Sequence, residues 1–185
     1  MANYVLWSLI GVVVLLVIYI IVLYNSLAKA RNRVKNQWAQ IDVQLTRRAE
    51  LIPNLMECVK GYMSHEKETL ERVVEARAAI MRAKDPQRAY EANRQLDAVL
   101  PSIFAVAEAY PELKANTNFI QLQSELKNTE DKIAYARQFY NDTVLIYTDR
   151  ITLFPGNIFA SLLGFHKEKC FVADEASVKN VSVKF

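Results

Sequence analysis

Residues 4–24 read YVLWSLIGVVVLLVIYIIVLY, and those 21 positions carry no charged side chain. A helix needs about 20 apolar residues to cross the hydrocarbon core of a bilayer. The stretch therefore predicts one transmembrane helix, with residues 1–3 as a short N-terminal end. Tyr4 and Trp7 at one end, and Tyr19 and Tyr24 at the other, suit the two interfacial belts of such a helix. The first charged side chain is Lys29, and Arg31, Arg33 and Lys35 follow at alternate positions before any acid. This run is the expected membrane-interface and topology determinant, or alternatively a recruiter of anionic lipid. By the positive-inside rule the N-terminus lies outside and the rest of the chain in the cytoplasm. Ala28-Lys29-Ala30 has the form of a signal-peptide cleavage site, but residues 1–5 lack a basic n-region and the apolar core is about twice the usual length.

Working outward, 185 residues allow this anchor and one domain of about 150 residues with its own core. Only four glycines and five prolines occur. With abundant Ala, Leu, Glu, Arg and Lys after residue 25, that points to long helices and short connections. A net charge of +3 is too small to indicate a nucleic-acid partner. Leu27, Val34, Trp38, Ile41 and Leu45 form a helical stripe, and nothing breaks the helix between Tyr24 and Ala49. The transmembrane helix is expected to run on as the first helix of the domain.

From here the residues resemble a family. YNSLAKARNRVKNQWAQIDVQLTRRAELIPNLMECVKGYMSHE (24–66), AVAEAYPELKANTNFIQLQSELKNTEDKIAYARQFYNDTV (105–144) and FPGNIFASLLGF (154–165) resemble the LemA family of bacterial membrane proteins, in order and at the family's spacing. The resemblance implies an N-terminal anchor in the inner membrane and a helical-bundle domain. It implies no biochemical activity. One branch of the family looks like lipoproteins with a cysteine before the Tyr-Asn pair; here no cysteine follows the apolar segment.

Pro53 is expected either to open a new helix or to kink the first. Ser64 is a candidate cap for a helix whose apolar face is Leu70, Val73, Val74, Ala76, Ile80 and Met81. Asp85-Pro86 marks the clearest boundary, an N-cap and a proline at the first helical position. The next helix carries Tyr90, Leu96, Leu100, Phe104 and Ala107, with Pro101 bending it; Asn116 or Asn118 then caps the longest element. Phe119, Leu122, Leu126, Thr129, Ile133, Ala136, Tyr140, Val144, Tyr147, Ile151 and Phe154 follow a heptad pattern with one stutter. That helix can pair antiparallel with the first and return the chain to the bilayer. NIFASLLGF (157–165) then lies in the headgroups or closes the bundle end, with Gly164 as C-cap. The expected fold is all-α: a transmembrane helix at 4–24, a helical bundle over 25–165, and an extended or disordered tail over 166–185. Val181, Val183 and Phe185 alternate there as a strand would.

Chemistry is sparse. His65 and His166 are isolated, no His, Cys or acidic pair has metal-ligand spacing, and no glycine-rich phosphate loop exists. Cys58 reads as a small buried hydrophobe. No catalytic residue, metal or cofactor is expected. The one polar cluster of interest is Arg47, Arg48 and Glu50, a structural ion pair or a partner contact. The two arginines point about 100° apart, so one can turn inward against an acid of the long last helix. The function expected is a membrane-anchored scaffold, without catalysis, that self-associates or holds partner proteins at the bilayer. Alternatives are a lipid-binding or membrane-shaping protein using the basic run and residues 157–165, and an enzyme with a dispersed site. An arginine pocket holding an acid and a tyrosine would favour the enzyme.

Overall fold

The computed structural model describes residues 2–62 and 67–171, and the fold is all-α, with no strand among the described residues. Helix α1 spans Ala2–Lys60, α2 Lys67–Arg82, α3 Pro86–Ala109, α4 Pro111–Lys114, α5 Thr117–Thr152 and α6 Gly156–Leu162. Ser64, His65 and the strand-like alternation at 181–185 lie outside the described residues.

α1 is one rod of 59 residues, about 88 Å at 1.5 Å per residue. Its first third is apolar and packs on nothing for most of its length; no part of its most apolar window is buried. It is the one helix among the described residues long and apolar enough to cross a membrane. From Leu27 onward the predicted stripe turns inward, with Leu27, Val34, Ile41 and Leu45 buried. Pro53 neither starts nor ends a helix. Its missing N–H leaves the Ala49 carbonyl without a ladder partner, and Arg77 of α2 donates its Nε–H to that carbonyl at 3.0 Å. A side chain from the neighbouring helix thus fills the gap in the ladder.

Asp85 caps α3, its carboxylate accepting from the Arg88 N–H at 3.0 Å, with Pro86 at the first turn. Asn116 caps α5, accepting from the Asn118 and Phe119 N–H groups. α2 and α3 form an antiparallel hairpin against the far half of α1. Val74 and Met81, expected on the apolar face of α2, are exposed; Val73, Ala76 and Ile80 are buried. Among the described residues α2 packs chiefly on α1 and α3, so its buried stripe is narrow.

α5 runs antiparallel to α1 and carries the main packing seam. Arg47 faces Glu125, the Trp38 ring meets Tyr140 edge-on, and Arg150 reaches Ser26. Phe119, Leu126, Thr129, Ile133, Tyr140, Val144, Tyr147 and Ile151 are buried as the heptads require. Leu122 is only half-buried, and Phe154 is exposed because α5 ends at Thr152, before the pattern reaches it.

Pro155 and Gly156 turn the chain into α6. A Cβ at residue 156 would collide with the Arg150 carbonyl, so only glycine fits. α6 closes with the Phe165 N–H on the Ala160 carbonyl and Gly164 at φ +73°, a glycine C-cap. Gly156 and Ala160 face inward, while Phe159 touches Tyr19 and Phe165 touches Tyr24. Leu153, Phe154, Ile158 and Leu162 remain exposed around it. α6 therefore closes the bundle against the end of the membrane segment and offers an apolar side outward.

Candidate functional site

The far half of the domain gathers α1, α2, α3 and α5, but α3 and α5 do not pack closely on each other. They meet at the edge-on pair Phe104–Phe119 and across one buried side chain, Arg48. A groove of about 620 Å³ lies between them. Its walls are Leu100, Pro101, Phe104, Phe119 and Leu126, with Glu108, Lys114, Gln123 and Lys127 also lining it.

Arg48 reaches the groove from α1 and is 1% exposed, the largest fully buried side chain among the described residues. Nη1 donates to the Asn93 Oδ1 at 2.7 Å and lies 2.6 Å from the Asp97 Oδ1. Nη1 carries two N–H groups, and the Asp97 Oδ1 is held against it as a close ion pair. Nη2 is 3.7 Å from Glu130 of α5. Asn93 in turn donates to the Asp97 Oδ2 at 2.9 Å. One cation thus bridges three helices. One donor of the cluster, the Arg48 Nε–H, is left without a hydrogen-bond partner. A buried donor without an acceptor costs free energy.

The structure separates the members of the polar cluster read from the sequence. Arg48 turns inward against Glu130, Arg47 is exposed 4.0 Å from Glu125, and Glu50 faces solvent. Asn93 and Asp97 went unread. The signal was present: Asn93 interrupts the buried face Ala89, Ala92, Leu96 and Leu100 of α3. The basic run divides too. Arg31 pairs with Glu168 at 3.6 Å, while Lys29, Arg33 and Lys35 are exposed. Among the described residues no group of three or more His, Cys, Asp or Glu could hold a metal ion. Among the described residues no His, Cys, Ser or Tyr lines the groove.

A second polar assembly adjoins this one. Residues 166–171 run extended along α5, and side chains of α5 bind their main chain. Tyr147 donates to the His166 carbonyl, and Tyr140 to the Lys169 carbonyl, each at 2.9 Å. Asn141 grips Phe171 twice, accepting its N–H at 2.8 Å and donating to its carbonyl at 2.9 Å. The Phe171 ring is buried between Trp38, Tyr90 and the Arg137 guanidinium. Burial first, then the charges of Glu168 and Cys170, pushes the Tyr140 phenol up to about 12. Burial also raises Tyr147, and Glu168 adds to the rise while Arg31 opposes it.

Residues 37–185 match the LemA family. Protein LemA of Metamycoplasma hominis is 26% identical over 152 residues, covering 82% of this chain and 69% of that protein. Two proteins of Paramagnetospirillum magneticum, magnetosome proteins MamQ 1 and MamQ 2, are each 32% identical over 72 residues. Those matches cover 39% of this chain and about a quarter (26%) of either relative.

Arg48→Ala leaves the buried Asn93 without its donor and the partly exposed Asp97 without its cation, and should destabilise the detergent-solubilised protein by about 1–3 kcal/mol. Arg47→Ala should stay within about 0.5 kcal/mol; equal losses in chemical denaturation would contradict the assignment. Tyr140 titrates above its ordinary value when folded, so its contribution is intact below pH 10 and is lost as pH rises towards about 12. The tyrosinate absorbance difference between wild type and Tyr140→Phe should therefore have its midpoint near 12; a midpoint near 10 would show the hydroxyl to be solvated.

Proposed function

The chain belongs to the LemA family, and from that premise we propose that it is a membrane-anchored scaffold that holds an extended segment of a partner protein in the α3–α5 groove. The observation carrying the reading is the open groove of about 620 Å³ itself, with apolar walls and the partly exposed Asp97 carboxylate among its lining residues. That carboxylate can accept from a main-chain N–H, and Lys114 and Lys127 can donate to main-chain carbonyls. Asn141 of α5 already holds main chain, that of Phe171, by donating to its carbonyl and accepting its N–H. The walls at Leu100, Phe104, Phe119 and Leu126 suit apolar side chains of such a segment, and Lys114, Lys127 and Glu108 suit polar ones.

Binding is favoured over catalysis because the guanidinium is compensated by two carboxylates. Among the described residues lining the groove are the acids expected of a dispersed enzyme site but no tyrosine. Self-association has its own support in Tyr135, Phe139 and Ile146 of α5 and in Leu153 just past its end. They are all more than half exposed and recur in steps of four, seven and seven along one outer face.

A photo-crosslinking residue at Gln123 should give discrete adducts with another protein in cells, and the adducts should fade in Asp97→Ala. The same residue at Phe139 should give an adduct of twice the chain mass. Adducts at neither position would sink the scaffold reading. The proposed orientation, with the domain in the cytoplasm, has a separate test. Cys170 is free and exposed, so a membrane-impermeant thiol reagent should label it only after permeabilisation. Labelling in intact cells would reverse the topology.

A further inference from the structure

We propose that the cleft between α1 and α5 at the membrane boundary binds the phosphate headgroup of an anionic membrane lipid. Lys29 and Arg33 from α1 and Arg150 from α5 line a cavity of about 370 Å³, with Asn25 and Ser26 at its floor and Val22 on its membrane side. The inference rests on the membrane anchorage above and is independent of the scaffold role.

Helix geometry selects these cations. Bases at alternate positions on a helix stand about 200° apart, while those four apart share a face. The run therefore splits into two pairs, Lys29 with Arg33 and Arg31 with Lys35. Arg31 turns to the strap formed by the extended residues 166–171, where Glu168 pairs with it at 3.6 Å. Lys29 and Arg33 turn to the other side and meet Arg150, whose Nη1 donates to the Ser26 hydroxyl at 3.1 Å. None of these three is ion-paired with a described acid. Three like charges around one cavity repel each other until an anion enters.

Their height fits a headgroup. Tyr24 ends the apolar segment, so the Lys29 backbone lies about 8 Å and the Arg33 backbone about 14 Å beyond it. The polar zone on each side of a bilayer is roughly 5–8 Å deep, and long basic side chains reach back toward it. Arg150 stands level with Ser26, at the inner edge of that zone. A guanidinium offers several N–H donors in a planar fork that suits phosphate oxygens. Val22 and the exposed apolar residues below it continue the cleft along the path of an acyl chain.

The test is native mass spectrometry of the full-length protein released from nanodiscs of phosphatidylcholine containing a minor fraction of phosphatidylglycerol. One phosphatidylglycerol should be retained per chain. In Arg33→Gln/Arg150→Gln its retention should fall at least tenfold, whereas Arg31→Gln/Lys35→Gln, with the same loss of charge on the opposite face, should stay within twofold. Arg33→Lys/Arg150→Lys keeps the charges and should retain most of the lipid, which separates binding from misfolding. Equal losses in the two glutamine variants would mean diffuse attraction and overturn the proposal. Displacement of the lipid by millimolar inorganic phosphate would identify a free-anion site and overturn the lipid assignment. Failure of the wild type to enter nanodiscs would instead overturn the anchorage itself. Entry without phosphatidylglycerol preference would overturn this site alone.

Discussion

The whole structure depends on the unbroken helical ladder of α1. The same rod supplies the apolar surface that suits a bilayer and the spine on which α2, α3, α5 and α6 pack. A flexible joint near residue 25 would let the domain swing; a continuous helix transmits orientation. The one place where the ladder lacks a bond, at Pro53, is covered by Arg77 of α2. The return helix follows from the same constraint. α5 must run antiparallel to bury its heptad face on the α1 stripe, and that delivers α6 to Tyr19 and Tyr24. The bundle is thus fixed to the membrane segment at two points, by covalent continuity and by α6.

Arg48 sits where that order is most costly. Removing a guanidinium from water is unfavourable, and partners compensate only when their geometry is good. Here Asn93, Asp97 and Glu130 arrive from two other helices, and the alignment is incomplete. A hydrophobic side chain at this position would let α3 and α5 close on each other. The buried charge holds them apart, and Pro101 adds to the gap by removing an N–H from the α3 ladder beside Asp97. The result is an open groove with apolar walls over a charged cluster, which is poor structural packing.

The architecture was largely legible because it rests on local signals that tertiary contacts do not override. The charge-free run at 4–24, the Asp85-Pro86 boundary and the heptads from Phe119 each act through backbone or helix periodicity alone. Failures came where packing on a particular neighbour decides. Val74 and Met81 belong to the right helix, but α2 has too few neighbours to bury them. The path through Pro53 required knowing that Arg77 would be near. The extended segment 166–171 was legible as non-helical, yet its attachment depends on Tyr140, Asn141 and Tyr147, which resemble ordinary heptad positions and surface polar residues. The groove was half visible: Arg48 and an α5 acid follow from helix angles, whereas Asn93 and Asp97 require the pairing of α3 with α1.

The alternation of the basic run shows how one sequence feature can serve two purposes without compromise. As a topology signal it needs only total charge beside the apolar segment, and any spacing would do. Were the four bases at spacings of three or four, all would line one side of the α1–α5 seam. They would then compete for Glu168 or crowd around Arg150. Alternation instead sends one pair to the strap and the other to the open side. There none of Lys29, Arg33 and Arg150 is ion-paired with a described acid. The strap matters to this asymmetry, because by lying along one side of the seam it neutralises Arg31 and leaves Lys29, Arg33 and Arg150 as the exposed charge. Anchorage of the C-terminal strap and display of the remaining basic charge therefore fall on two sides of the same pair of helices.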